Sequence, residues 1–254
     1  VSGVLELTGR VALVTGGSRG VGRATALLLA RAGASVAISY RTRRSEAEAV
    51  VEEIRALGVD GLAHGGDLTG PEAVDRLFGT VDEALGGLDL FVGNHGIWPP
   101  EPVALAEMGD ERWHRTVEVN LHSLFYCCRA AARTLRDGGR IVLVGSTAGQ
   151  RGEAFHGDYA ATKGALISLV KGFSGELAPR GITVNCVAPG WIDTEMAAPA
   201  LEDDARRRIE ADIPLGRIAA PEDVAGPIAF LCSELARHVT GEVLNVNGGA
   251  VLVG

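Results

Sequence analysis

The chain has 254 residues and is 46% hydrophobic, enough for one substantial core, so a single domain spanning 1–254 is expected. Its 24 basic and 32 acidic side chains leave a formal charge of -8, which argues against broad nucleic-acid binding, since that needs a basic face. Residues 1–7 lack the basic and apolar regions of a signal peptide, and no run approaches the roughly 20 apolar residues of a membrane helix, so a soluble, cytoplasmic protein with no membrane partner is expected.

An apolar strand over 10–15 runs into a glycine-rich turn containing Gly16, Ser18, Arg19, Gly20, Val21 and Gly22. A helical pattern through Thr25, Leu27, Leu28, Leu29 and Ala32 follows, until Gly33 stops it. Strand, glycine turn and helix N-terminus together form an anion site, where free backbone N–H groups and the positive end of the helix dipole meet a pyrophosphate. The spacing Thr-Gly-x-x-x-Gly-x-Gly departs from the stricter G-x-G-x-x-G rule, yet a second strand over 35–40 completes a βαβ unit. No Asp or Glu that could take a ribose 2'-hydroxyl occurs between Ser35 and Ser45. Tyr40, Arg41, Arg43 and Arg44 stand there instead, and guanidinium groups match phosphate oxygens in charge and fork geometry. Arg19 and Arg41 are therefore expected to hold the 2'-phosphate of NADP.

Further along, 45–57 reads as a helix, 61–66 as a strand leading to Asp67 and Leu68, and Pro71 opens a helix reaching about Leu85. A fourth strand over 88–93 precedes Asn94 and Gly96. The pattern predicts one helix over 111–135 carrying Asn120, then a fifth strand ending at Ser146. A helix from about Gly157 to Leu177 bears Tyr159 and Lys163, which at i and i+4 share one face, so an ammonium beside the phenol would favour its ionised form. A cation-assisted tyrosine can exchange a proton with a carbonyl oxygen that a serine hydroxyl holds. The sixth strand spans 182–188 and leads to Pro189, Gly190, Ile192 and Thr194, within an irregular stretch over 189–212; the seventh spans 243–246.

This alternation predicts an α/β fold: one doubly wound, Rossmann-like domain with a seven-stranded parallel sheet flanked by helices. Ligands of such sheets bind beyond the carboxyl ends of the strands, so the glycine turn, Asn94, Ser146, Tyr159 and Pro189 should share one rim. The four cysteines and six histidines fit neither a disulfide framework nor metal-ligand spacing, and no metal is expected.

These motifs resemble the classical short-chain dehydrogenase/reductases from about Leu7 to Gly249. The likeness rests on Thr15-Gly-x-x-x-Gly-x-Gly22, Asn94-x-Gly96, Asn120, Ser146, Tyr159-x-x-x-Lys163, Pro189-Gly190 with Thr194, and Asn247-Gly-Gly249. It implies that Tyr159 is the general acid or base, that Ser146 orients the carbonyl, and that Lys163 supports the tyrosine and holds the nicotinamide ribose. It further implies that Asn120 kinks its helix and holds a water, that Asp67 meets adenine, and that Asn94 meets the adjoining ribose region. The backbone after Pro189-Gly190, helped by Thr194, would meet the nicotinamide carboxamide. Within the family the pattern is most similar to 3-oxoacyl-(acyl-carrier-protein) reductases, which implies a small-molecule or carrier-bound carbonyl substrate.

His95 stands where such enzymes commonly have alanine, and Gln150, Arg151, Glu153 and His156 read equally as substrate contacts or as solvent-facing groups. Trp98, Trp191 and Met196 line an apolar pocket or pack the chain's own loops. Arg129, Arg133, Arg136 and Arg180 form a docking face for an acidic carrier or are ordinary helix arginines. The other readings are a sugar, polyol or alcohol dehydrogenase, a secondary-metabolite ketoreductase, and a catalytically silent NADP-binding sensor. The resemblance also implies a homodimer or homotetramer, with the helices over 111–135 and 157–177 at one interface; Ala130, Ala131, Ala132, Gly164, Ala165 and Ser168 either permit close approach there or pack on the sheet.

Overall fold

The computed structural model describes residues 5–252. Strands and helices alternate in the order β1 (Val11–Val14), α1 (Gly20–Arg31), β2 (Ser35–Tyr40), α2 (Arg44–Ala56), β3 (Gly61–Gly65), α3 (Pro71–Leu85) and β4 (Leu90–Gly93). Next come α4 (Asp110–Val117), α5 (Ser123–Thr134), β5 (Arg140–Val144), α6 (Ala148–Arg151), α7 (Gly157–Leu177) and β6 (Thr183–Pro189). The chain continues with α8 (Asp203–Asp212), α9 (Pro221–Cys232) and β7 (Val243–Val246). All seven strands pair in parallel, in the order β3-β2-β1-β4-β5-β6-β7. The order reverses between β1 and β4, which opens a crevice at their carboxyl ends.

Strand residues alternate between the two layers, as the period of two requires. Ala12 and Val14 face the layer holding Leu29, Ile54 and Ile228, whereas Val11 and Leu13 face the one holding Leu77, Leu124 and Leu166. Burial on both faces explains why the strands read as continuous apolar runs. Fully buried side chains such as Leu13, Ile38, Phe91 and Ile141 each contribute about 1.5–3 kcal/mol through removal from water.

Four elements differ from expectation, the first being α6, since no predicted element covers Ala148–Arg151. β4 starts at Leu90, because the buried Asp89 carboxylate accepts from the Val11 backbone N–H at 2.8 Å and binds Arg136 at 3.1 Å. The helix expected over 111–135 is interrupted by a π turn at Glu118–His122 that contains Asn120. α9 has no counterpart among the predicted elements, since Gly226 and Pro227 interrupt its pattern, yet Val224, Ile228 and Leu231 bury it against α1.

Two glycines fix how α6 meets α7. A Cβ on Gly149 would lie 2.5 Å from the Lys163 carbonyl carbon, and one on Gly164 would lie 3.2 Å from the Gly149 oxygen. The small size of Gly164 thus serves contact within the chain, and the crossing presses the segment after Ser146 onto the helix of Tyr159.

Candidate active site

A cleft of about 530 Å³ opens at the carboxyl ends of the strands. Gly16, Ser18, Arg19, Gly20, Val21 and Gly22 line it from the glycine turn, and Tyr40, Arg41, Asp67 and Leu68 from the ends of β2 and β3. Asn94, Gly96, Ser146, Tyr159 and Lys163 close its middle, and Pro189, Gly190, Ile192 and Thr194 its far wall. Of the residues expected in the site, Asn120 alone lies behind the lining, fully buried.

The glycine turn has the shape an anion needs. A Cβ on Gly22 would lie 2.1 Å from the Gly16 oxygen, so the turn closes only without a side chain there. Arg19, extended at φ -157, precedes α1 without a side-chain cap, which leaves the first N–H groups of the helix for a ligand. Asn94 Nδ2 donates to the Thr15 and Gly16 carbonyls at 2.9 and 3.2 Å, so its side chain holds the turn where the residue lines the cleft. Arg19 and Arg43 both grip the carboxylate of Glu195, whereas Arg41 makes no ion pair among the described residues. Arg43 belongs to the same basic run as Arg41, but no sequence signal marks Glu195.

Tyr159 and Lys163 lie one turn apart on α7, beside Ser146 from the end of β5. Burial pushes the Tyr159 phenol up to about 12, against an opposing hydrogen bond from Ser146. Burial likewise lowers Lys163 from 10.5 to about 8. The Lys163 nitrogen sits 5.7 Å from the Tyr159 ring centre and donates to the Val144 carbonyl at 2.7 Å. The neighbouring ammonium therefore does not bring the phenol below its ordinary value in this state, where removal from water sets the direction.

Asn120 Nδ2 donates to Ile97 O at 2.8 Å and Thr162 Oγ1 at 3.3 Å, and its Oδ1 accepts from Ile97 N at 2.7 Å. Both amide protons are engaged, so the side chain ties the π turn to α7 and to the segment after β4. Asp158, which carried no expected role, is fully buried next to Tyr159. Burial alone would raise its carboxyl, but bonds from Arg112 at 3.1 Å and Thr116 at 2.8 Å hold it below the usual range and anchor the start of α7 to α4.

His95 is a bridge. Its Nδ1 lies 2.8 Å from Thr15 Oγ1 and its Nε2 lies 2.6 Å from Ser123 Oγ. Ser123 already gives its proton to the Val119 carbonyl at 2.6 Å, so His95 Nε2 carries the hydrogen and Nδ1 accepts. His95 is half-buried and lines the cleft, and its removal from water, with repulsion from Lys163, lowers it to about 4.

A second hollow of about 130 Å³ adjoins the first and shares Ser146 and Tyr159. Trp98 and Trp191 meet edge to face at 6.0 Å, and Trp98 stacks on His156 at 4.8 Å. Arg151 and Glu153 line this hollow, whereas Gln150 turns away to donate to Asn245 at 2.7 Å. Burial raises the Glu153 carboxyl, and the nearby His156 opposes the rise. Phe155 between them holds a positive φ of 65, unusual for a bulky residue. Among the described residues no cluster of three or more His, Cys, Asp or Glu side chains can hold a metal, and no helix is long and apolar enough to cross a membrane.

A parallel sheet whose order reverses beside a glycine turn, with a serine, a tyrosine and a lysine converging on the crevice, defines a nucleotide-dependent oxidoreductase. The family model described as "Enoyl-(Acyl carrier protein) reductase" matches residues 16–251. The chain is 40% identical to 3-oxoacyl-(acyl-carrier-protein) reductase FabG of Vibrio cholerae over 98% of its length and 100% of that protein. It is 39% identical to the enzyme of that name from Escherichia coli K12, over 98% and 100% of the two chains. A dehydrogenase/reductase from Sinorhizobium meliloti superposes with a TM-score of 0.92 at 40% identity, covering 98% of this chain and 97% of that one. A short chain dehydrogenase from Burkholderia cenocepacia, solved in complex with NADP, gives 0.90 at 40% identity, covering 96% and 99%. The chain belongs to the short-chain dehydrogenase/reductase family and is an oxidoreductase of CH–OH and C=O groups.

Proposed function

We propose that the protein reduces a ketone to a secondary alcohol with NADPH, with Tyr159 as proton donor and a 3-oxoacyl thioester as substrate. The observation that carries this reading is the convergence of Ser146, Tyr159 and Lys163 on a cleft whose other end is the open N-terminus of α1. The residues fit a dinucleotide: glycines that tolerate no Cβ at the turn, uncapped N–H groups behind them, and arginines where a 2'-phosphate would lie. Bound NADPH supplies the hydride. Ser146 and Tyr159 hydrogen-bond the carbonyl oxygen from one side, and the phenol, protonated at neutral pH, gives up its proton as negative charge develops there. Lys163 would hold the ribose and would offer a positive charge to the phenolate left behind, and Asn120 keeps the π turn against α7.

Forty per cent identity to the Vibrio cholerae reductase over its full length supports the thioester substrate. The indoles of Trp98 and Trp191 around the small hollow favour a second reading, a compact ring ketone. The docking face expected for a carrier is also thinner than its arginines imply. Arg180 bonds Asp137 at 2.8 Å together with the carbonyls of Ala132 and Leu135, and Arg136 bonds Asp89 at 3.1 Å. One domain and a homodimer or homotetramer complete the proposal, supported by half-exposed Phe125 on α5 and partly exposed Trp113 on α4. The test is NADPH consumption with a 3-oxoacyl thioester, free and carrier-bound, beside cyclic ketones. Turnover on the thioester that vanishes in Tyr159→Phe supports the reading; turnover confined to cyclic ketones replaces the substrate, and none on any carbonyl despite NADPH binding favours a sensor.

A further inference from the structure

We infer that Glu195 is a specificity-determining residue for the cofactor: its carboxylate occupies Arg19, one of the two arginines expected to take a 2'-phosphate, together with neighbouring Arg43, and so weights the choice between NADPH and NADH. The inference rests on the proposed use of NADP. Glu195 Oε2 accepts from Arg19 Nη1 and, at 3.0 Å, from Arg43 Nη2. These two arginines come from the glycine turn and from the loop after β2, 176 and 152 residues away in the chain, and meet only through this carboxylate. All three groups line the cleft beside Tyr40 and Arg41, where an acidic residue would have selected a ribose 2'-hydroxyl.

A guanidinium can hold two anions, as Arg43 holds Glu46 and Glu195, but the two compete for its N–H groups and repel one another. A 2'-phosphate arriving between Arg19 and Arg41 must either displace the Glu195 carboxylate or sit beside it, and like charges at contact repel. NADH, which has a hydroxyl there, leaves the ion pairs intact. Glu195 thus weakens binding of the phosphorylated cofactor selectively, because Arg19 is fully open to it only in the fraction of molecules where the carboxylate has let go. The three partners differ in how firmly they are held. Arg43 keeps a second carboxylate, Glu46, at 2.9 Å, whereas Arg19 pairs with Glu195 alone among the described residues. Arg19 is accordingly the group that the exchange frees for the phosphate.

Glu195 also lies between Thr194 and Met196, which line both the cofactor cleft and the small hollow beside Tyr159. The same ion pairs therefore tether the wall of the substrate hollow to the phosphate end of the cleft.

The test is calorimetric titration of wild type and Glu195→Gln with NADPH, NADH, 2',5'-ADP and 5'-AMP at low salt. The pairs are solvent-exposed and individually weak, so the expected gain in the NADPH-over-NADH affinity ratio is about fivefold, with the same gain in the 2',5'-ADP-over-5'-AMP ratio. Both gains should shrink at high salt. A wild type that prefers 2',5'-ADP, together with unchanged or reduced ratios in the variant, overturns the role of Glu195 and leaves the NADP reading standing. A wild type that does not distinguish 2',5'-ADP from 5'-AMP overturns both.

Discussion

Lys163 donates to the carbonyl oxygen of Val144 at 2.7 Å, across the gap between α7 and the carboxyl end of β5. The nitrogen is buried, and its drop from 10.5 to about 8 measures the cost of keeping it charged there. Over this interval the unfolded chain retains a proton that the folded one sheds, so stability gains as pH rises from 8 toward 10.5. Lys163→Met should remove both the penalty and the pH dependence. We expect it to be more stable than wild type at pH 7 by about 1–3 kcal/mol in urea unfolding, while turnover falls about 100-fold or more. Loss of stability together with loss of turnover would make Lys163 a structural residue.

Tyr159 should show opposite pH profiles in the two reaction directions. With the phenol at about 12, the proposed proton donor is loaded throughout the neutral range, and the rate of reduction should be flat between about pH 6 and 8. Alcohol oxidation needs the phenolate as base and should rise about tenfold per pH unit over that range. Tyr159→Phe should lower both directions about 1,000-fold without loss of NADPH binding, measured by fluorescence titration. Equal pH profiles in the two directions would exclude the phenol as the group that exchanges the proton.

The sheet, the glycine turn and the rim that gathers Ser146, Tyr159 and Pro189 were legible in the sequence, because each depends on local chemistry repeated along the chain. Apolar runs mark the doubly covered strands, and glycines mark backbone that has no room for Cβ. What escaped reading is non-local. Nothing near Glu195 announces that Arg19 and Arg43 will converge on it, and Gly149 shows its necessity only once α7 lies across it. The state of Tyr159 is non-local for the same reason: i and i+4 spacing fixes a shared face, but burial, a property of the whole fold, raises the phenol. α9 is not legible in the sequence because Gly226 and Pro227 obscure a helix that tertiary packing on α1 stabilises.

His95 should make the fold acid-sensitive. Its proton affinity falls from 6.5 to about 4 on folding, so below pH 6.5 the unfolded chain binds a proton that the folded chain refuses. Stability is therefore lost as pH falls from 6.5 toward 4, by about 3 kcal/mol at the low end. His95→Ala should flatten that part of the profile. At pH 7 it should also cost about 1–3 kcal/mol, since Thr15 and Ser123 lose their shared partner. Urea unfolding at pH 7, 5.5 and 4.5 for both proteins checks the two effects, and parallel profiles would sink the assignment of acid sensitivity to this ring.

Gly149→Ala tests whether the crossing of α6 over α7 positions the chemistry. The added methyl would stand 2.5 Å from the Lys163 carbonyl carbon and 2.7 Å from the Gly164 nitrogen, both backbone atoms that cannot rotate away. Either α6 lifts from α7 or the start of α7 shifts, at a cost of about 1–3 kcal/mol. Ser146 lies just before α6 and accepts from Ala148 N at 3.1 Å, so its hydroxyl moves with the helix relative to the Tyr159 phenol. A displacement near 1 Å in such a pair costs about 100-fold in rate. The expected result is a kcat lowered far more than NADPH affinity, since the glycine turn and the arginines lie on other elements. Gly172→Ala, on the same α7 but facing open space, should leave both unchanged. If Gly149→Ala retains full kcat, the packing of α6 on α7 supports the fold without aligning the serine and the tyrosine.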